Sequence, residues 1–177
     1  MITEKDTIKC EAIYSDCKKH RLYWKRTWNK DSPLACVVMI NPCMADTLVS
    51  DLTTELVTNN ISRLGGYGGV SIVNLFSLLT TKLDFRSMEQ LNDYSNDIYI
   101  KKAAEEASIV VLAWGKSCDT NAKILHRTEQ VIKLLEGQKE KLKVISDGNR
   151  KGIHPLTPSC RHGWILEDYE PTIIEKA

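Results

Sequence analysis

The 177-residue sequence has no surplus of charge: 24 Lys and Arg stand against 23 Asp and Glu, a formal net charge of +1. That balance removes any molecule-wide pull toward nucleic acid, so a polyanion contact has to be a local patch. No stretch approaches the roughly 20 apolar residues of a membrane span, and Met1-Ile2-Thr3-Glu4-Lys5-Asp6 lacks the apolar core of a signal peptide. The cytoplasm is the expected compartment, with no membrane contact. Six cysteines (Cys10, Cys17, Cys36, Cys43, Cys118, Cys160) include no CxxC pair, which argues against a zinc ribbon and a disulfide framework and for free thiols. Neither an internal repeat nor a low-complexity segment is present. No metal, cofactor or obligate protein partner is expected.

What is present, 42% hydrophobic and 27% charged residues, suits a single α/β domain over 1–177 that buries roughly 70% of its unfolded surface. Within residues 1–30, Ile8 to Tyr14 and Arg21 to Trp28 read as a hairpin flanking the main sheet, because Leu22, Trp24 and Arg26 alternate with Tyr23, Lys25 and Thr27. From Leu34 onward apolar strands alternate with polar helices. Strands are expected at Ala35 to Ile40, Val70 to Leu75, Ile109 to Trp114 and Leu142 to Ile145. Helices are expected at Leu52 to Leu64 (N-cap Asp51 or Ser50, stop Gly65-Gly66), Asn96 to Ala107 and Asn121 to Leu135. Right-handed crossovers then give a three-layer αβα sandwich with a central, mainly parallel sheet.

In such a sheet chemistry collects beyond the carboxyl ends of the strands. Those ends carry Asn41-Pro42, Asn74, Trp114-Gly115-Lys116-Ser117 and the loop Asp147-Gly148-Asn149-Arg150-Lys151-Gly152 leading to His154-Pro155-Leu156. Pro42 biases Asn41 toward an extended conformation and directs the loop Cys43-Met44-Ala45, after which Asp46 and Asp51 compete as the functional acid. An ordinary turn and an N-cap acid would explain the same residues. Asn74 lies in an apolar run, where its amide needs partners: a neighbouring backbone, or the edge of a heterocyclic base. His154 titrates near cytoplasmic pH, and Arg150 and Lys151 beside it suit a phosphate backbone or a solvated turn. His20, His126 and His162 have no comparable setting.

Taken in order, Arg21-Leu22-Tyr23-Trp24-Lys25-Arg26-Thr27-Trp28, Ile40-Asn41-Pro42-Cys43-Met44-Ala45-Asp46, Asp51-Leu52-Thr53, Gly66-Tyr67-Gly68-Gly69, Val73-Asn74-Leu75-Phe76, Ala113-Trp114-Gly115 and His154-Pro155-Leu156 resemble a bacterial and phage family, domain of unknown function 1643. That family usually has Ser where Cys43 stands. More distantly, the motif order resembles the uracil-DNA glycosylase superfamily. It has an Asn-Pro catalytic loop of the mismatch type, an Asn-bearing apolar strand, a Trp-Gly strand end and a late His-Pro loop. This chain departs from that pattern: it has no Gly-Gln-Asp-Pro-Tyr-His loop, Leu156-Thr157-Pro158 follows His-Pro, and the cysteines lack iron–sulfur spacing.

The resemblance implies a glycosylase-like αβα fold and cleavage of the N-glycosidic bond of a flipped, modified or non-standard base in DNA. Processing of, or defence against, modified phage DNA is the implied setting. Asn41 would hold the water, Asp46 would act as base or stabilise the cationic sugar, and His154 would donate to the departing base. Pro42, Cys43, Asn74 and Phe76 would line the base pocket, and Ser77, Lys116, Arg150 and Lys151 would meet the DNA. Two other classes fit the same residues: a non-catalytic module that binds nucleotides or modified DNA, and a nucleoside or nucleotide hydrolase or transferase.

Overall fold

The computed structural model describes residues 1–116 and 120–171. Ser117 and Cys118, named above, lie outside the described residues. In chain order the elements are β1 (Lys9–Tyr14), β2 (Arg21–Thr27), β3 (Leu34–Met39), α1 (Leu52–Leu64), β4 (Gly69–Asn74), α2 (Asn96–Glu106), β5 (Ile109–Leu112), α3 (Ala122–Leu134), β6 (Leu142–Ser146) and β7 (Ile165–Asp168). The seven strands form one sheet in the order β1-β2-β4-β3-β5-β6-β7.

The sheet is mixed, which corrects the expectation of a mainly parallel one. The β4-β3-β5-β6 pairings are parallel, whereas β1-β2, β2-β4 and β6-β7 are antiparallel. The physical reason is connection length: β1 and β2 are joined by too few residues to cross over a sheet, so they can pair only as a hairpin. That hairpin continues the sheet, because Trp24 pairs with Ile72 on β4. β7 was not expected from sequence. Its four residues, Ile165-Leu166-Glu167-Asp168, are partly or fully exposed and carry no apolar alternation to mark a strand.

Alternation along β3 divides the core in two. Cys36 and Val38 face Ile100, Ala103 and Ala104 of α2 and Ile124 and Val131 of α3. Ala35, Val37 and Met39 face Val57 and Ile61 of α1, together with Trp24, Ile72 and Trp164. Both faces of the central strands are therefore dry, as parallel strands require. Among the described residues, no helix is long and apolar enough to cross a membrane.

Local chemistry sets the helix ends. Asp51 Oδ1 accepts from the Thr54 N–H at 2.8 Å, making Asp51 the N-cap of α1, and Gly65 at φ 71° closes the helix. Asn121 caps α3 through the N–H groups of Lys123 and Ile124. Ser95 makes no capping bond. Asn96 instead turns inward, and its Nδ2 donates to the carbonyls of Asn74 (3.0 Å) and Leu75 (3.3 Å) and to Asn92 Oδ1 (3.0 Å). That amide satisfies the backbone where β4 leaves the sheet. Asn96→Ala removes a donor from the Asn74 carbonyl and Asn92 Oδ1 in a dry site, so the midpoint of urea unfolding should fall by the equivalent of about 1–3 kcal/mol with an unchanged slope.

Candidate functional site

Parallel pairing places the ends of β4, β3 and β5 side by side, with Met39 opposite Asn74 and Val38 opposite Leu112. Neighbouring strands are about 4.8 Å apart, so these three ends cover about 10 Å of one rim. Asn74 is the last residue of β4 and is 1% exposed; neighbouring Val73 and Leu75 belong to the α2 face, so Asn74 points to the α1 face. Its Nδ2 is buried without a hydrogen-bond partner among the described residues. A buried amide left open in this way is uncommon and needs an explanation.

Asn41, just past β3, is partly buried, and its Nδ2 donates to the carbonyls of Thr80 (2.6 Å) and Pro42 (3.2 Å). Two carbonyls fix which end of the amide is nitrogen. The Oδ1 of Asn41 is the end left to accept. The Pro42 carbonyl also takes the Thr80 N–H, so the turn is tied to the segment after β4.

The loop that follows is held by three side chains of β2. Arg21 Nη1 donates to the Ala45 carbonyl (2.8 Å), Trp24 Nε1 to the Asp46 carbonyl (2.8 Å), and Arg26 Nη2 to Ser50 Oγ (2.7 Å). Arg26 also lies over the Trp24 ring at 5.1 Å. In the sequence these residues stand as an alternating hairpin strand and as part of the segment that resembles the family; the signal for an anchoring role is two arginines and a tryptophan on one strand. Asp46 itself is exposed. Its Oδ1 accepts from the Leu48 (2.7 Å) and Val49 (2.8 Å) N–H groups, which hold its carboxyl below the usual range. It closes its own turn, while Asp51 caps α1.

His154 stands on the loop after β6, which folds onto the α1 face: Ile153 and Cys160 join the cluster around Trp24 and Ile61, and Asn60 Nδ2 donates to the Arg161 carbonyl at 3.0 Å. Gly115, in the turn that follows β5, has φ 68°, and a Cβ there would meet His154 Cβ at 2.8 Å. Only glycine allows both that backbone and that approach. His154 Nδ1 accepts from the Leu156 N–H at 3.1 Å, so the neutral ring carries its proton on Nε2. The fold thus brings Asn41, Asn74 and His154 to one rim, with Asn74 and the His154 loop on one face. Among the described residues, no hydrogen bond joins His154 to either asparagine.

Other expected residues are placed differently. Phe76 is fully buried against Phe85, edge to face at 5.9 Å, and offers no surface to a base. Ser77 is fully buried: its Oγ meets His20 Nδ1 (2.9 Å) and accepts from the Asp93 N–H (2.8 Å). Arg150 pairs with Asp147 and Lys151 with Glu167, each at 2.7 Å, so the patch beside His154 is neutralised. Cys43 is partly buried and Pro42 buried at the turn. Lys116 is exposed and borders a cavity of about 1130 Å³ floored by Leu112, Leu142 and Val144. That cavity lies on the α2–α3 face, away from Asn74. Among the described residues, no cluster of His, Cys, Asp and Glu is arranged to hold a metal.

Burial lowers the pKa of His154 from its ordinary 6.5. The unfolded chain takes up a proton below that value and the folded chain resists it, so stability present above about pH 6.5 is lost as pH falls toward the folded value. The pH dependence of the unfolding midpoint should therefore be shallower in His154→Gln over that window, even though His20 is also lowered by burial. No curated protein matches the chain. The family model described as "Protein of unknown function (DUF1643)" matches residues 21–156, from the first arginine of β2 to the end of His154-Pro155-Leu156. The chain belongs to that family.

Proposed function

We propose that this protein is a glycosylase-like enzyme that cleaves the N-glycosidic bond of a modified or non-standard base flipped out of DNA, in the manner of the uracil-DNA glycosylase superfamily. The observation that carries the reading is the buried carboxamide of Asn74, whose Nδ2 has no partner among the described residues and which lies on the same side of the rim as the His154 loop. A side-chain amide supplies a donor and an acceptor matched to a base edge. Glycosidic cleavage leaves negative charge on the departing base, and a neutral His154 with its proton on Nε2 can donate there. Asn41, its NH₂ tied to two carbonyls, keeps Oδ1 to orient the attacking water. Asp46 serves the turn on which Asn41 depends.

One observation favours a second reading, a module that binds a nucleotide or modified DNA without cleaving it. Asp46 and Asp51 each commit one carboxylate oxygen to backbone N–H groups, so both acids of that loop serve local structure rather than standing free as a base.

Duplexes bearing uracil, thymine mismatches, hydroxymethylated bases and glucosylated bases separate the two. The glycosylase reading expects alkali-sensitive abasic sites on one of these substrates. His154→Ala and Asn41→Ala should each lower the rate on the order of a hundredfold while the protein stays folded. Ligand-dependent thermal stabilisation with no abasic product on any duplex would replace the enzyme with the binding module.

A further inference from the structure

Two arginines are buried, and their surroundings differ. Arg127 on α3 donates from Nε to the Leu75 carbonyl at 2.8 Å and pairs through both Nη atoms with Asp97. Its hydrogen-bonding needs are met within the protein. Among the described residues Arg21, 1% exposed, has a single acceptor for its side chain, the Ala45 carbonyl, and its Nε is buried with no partner. Among the described residues no carboxylate forms an ion pair with it. A buried guanidinium without a counter-anion is strongly unfavourable, and an anion bound from outside is a direct way to offset it.

Arg21 opens β2. Because β2 runs antiparallel to β4, that start lies beside the end of β4, and the Arg21 N–H donates to the Ser77 carbonyl there. Two further unpartnered donors stand at the same end of the α1 face: Asn74 Nδ2 on the last residue of β4, and Thr54 Oγ1 in the first turn of α1. Both residues are 1% exposed. Burial lowers the Arg21 pKa, with Tyr14, Asp51 and Cys43 close enough to oppose the shift. The buried region beneath the 43–51 loop thus combines a cation that has Asp51 nearby but no ion pair among the described residues with three unmet donors, a chemistry suited to an oxygen-rich anion.

We propose that Arg21 and Thr54, beneath the 43–51 loop, bind a phosphate group of a nucleotide, with Asn74 bordering the same space and left for the base. Only the source of the phosphate rests on the glycosylase reading; the site itself rests on the unmet donors. Arginine presents parallel N–H donors that match phosphate oxygens. Entry requires the outer loop to lift, which releases the hydrogen bonds of Arg21, Trp24 and Arg26 to it and uncovers Ala45, while Met44, Leu48 and Val49 are already solvent-exposed.

Thermal unfolding of the full chain at constant ionic strength tests the site, with inorganic phosphate, a nucleoside, its 5′-monophosphate and a short oligonucleotide as probes and chloride as control. Phosphate-bearing probes should raise the wild-type Tm by about 5 to 10 °C at a hundred times their dissociation constant, and the nucleoside should not. Compared at equal concentration, a larger effect of the monophosphate than of inorganic phosphate identifies a nucleotide; the reverse order overturns the nucleotide and leaves a free-phosphate site. Arg21→Met should abolish the shift, and Thr54→Val, which keeps the fold if the arginine variant loses it, should weaken it several-fold. An unchanged wild-type Tm with every phosphate-bearing probe, or an equal shift in the folded variants, overturns the site. Abasic-site formation is scored separately, so loss of this site and loss of the glycosylase reading are distinguishable.

Discussion

The structure depends on β3 being paired in parallel on both sides and covered on both faces. Parallel neighbours cannot be joined by tight turns, so the chain must leave β3 over one face and return through α1 before β4 can form. That single constraint puts the segment after Met39, the last residues of β4 and the end of β5 at the same rim. It also leaves Asn41-Pro42 as the only exit from a fully buried strand, and the exit has to be anchored. The β2 side chains Arg21, Trp24 and Arg26 do this by donating to the carbonyls of Ala45 and Asp46 and to the Ser50 hydroxyl. The antiparallel hairpin is therefore more than an edge to the sheet: its inner strand holds the loop that begins the candidate site.

The four parallel strands and three helices were legible in the sequence because each combines a strong period with a chemical stop. Asp51 and Gly65 bound α1 through a side-chain cap and a positive φ, both of which follow from residue type. Asn121 and Leu135, read as helix ends, are the two cap residues of α3. The antiparallel edges were less legible. β7 is four residues long with no buried side chain, and its pairing with β6 arises from tertiary proximity rather than from its own pattern. Site residues divide the same way. The positions of Asn41, Asn74 and His154 follow from the strand-end rule, but the partners of Phe76 and Ser77 do not, because a core contact with Phe85 or a hydrogen bond to His20 joins segments distant in sequence. The positive patch at Arg150 and Lys151 fails for a similar reason: Glu167, which neutralises Lys151, is brought in by the unforeseen β7.

The polar residues of the rim fall into two groups when sorted by what satisfies them. Asp46, Asp51, Ser77 and the NH₂ of Asn41 are engaged by backbone groups, and they shape the walls. Arg21, Thr54 and Asn74 are equally buried yet carry unmet donors, all at the end of the α1 face. A core residue without a partner lowers stability by an amount that apolar packing would recover, and the large apolar clusters on both faces of the sheet show that this fold packs apolar residues readily. Unmet buried atoms occur also on Arg26, Asn60, Asn96, Gln138 and Trp164, but three donors gathered at one end of the α1 face, in a protein that pairs its other buried arginine with Asp97, fit a site preorganised for a ligand. Because all three unmet groups can donate, the ligand must present acceptors, and because one of them is a cation, at least one acceptor must carry charge. A nucleotide, with carbonyl and ring nitrogen acceptors on the base and anionic oxygens on the phosphate, meets both requirements within one molecule.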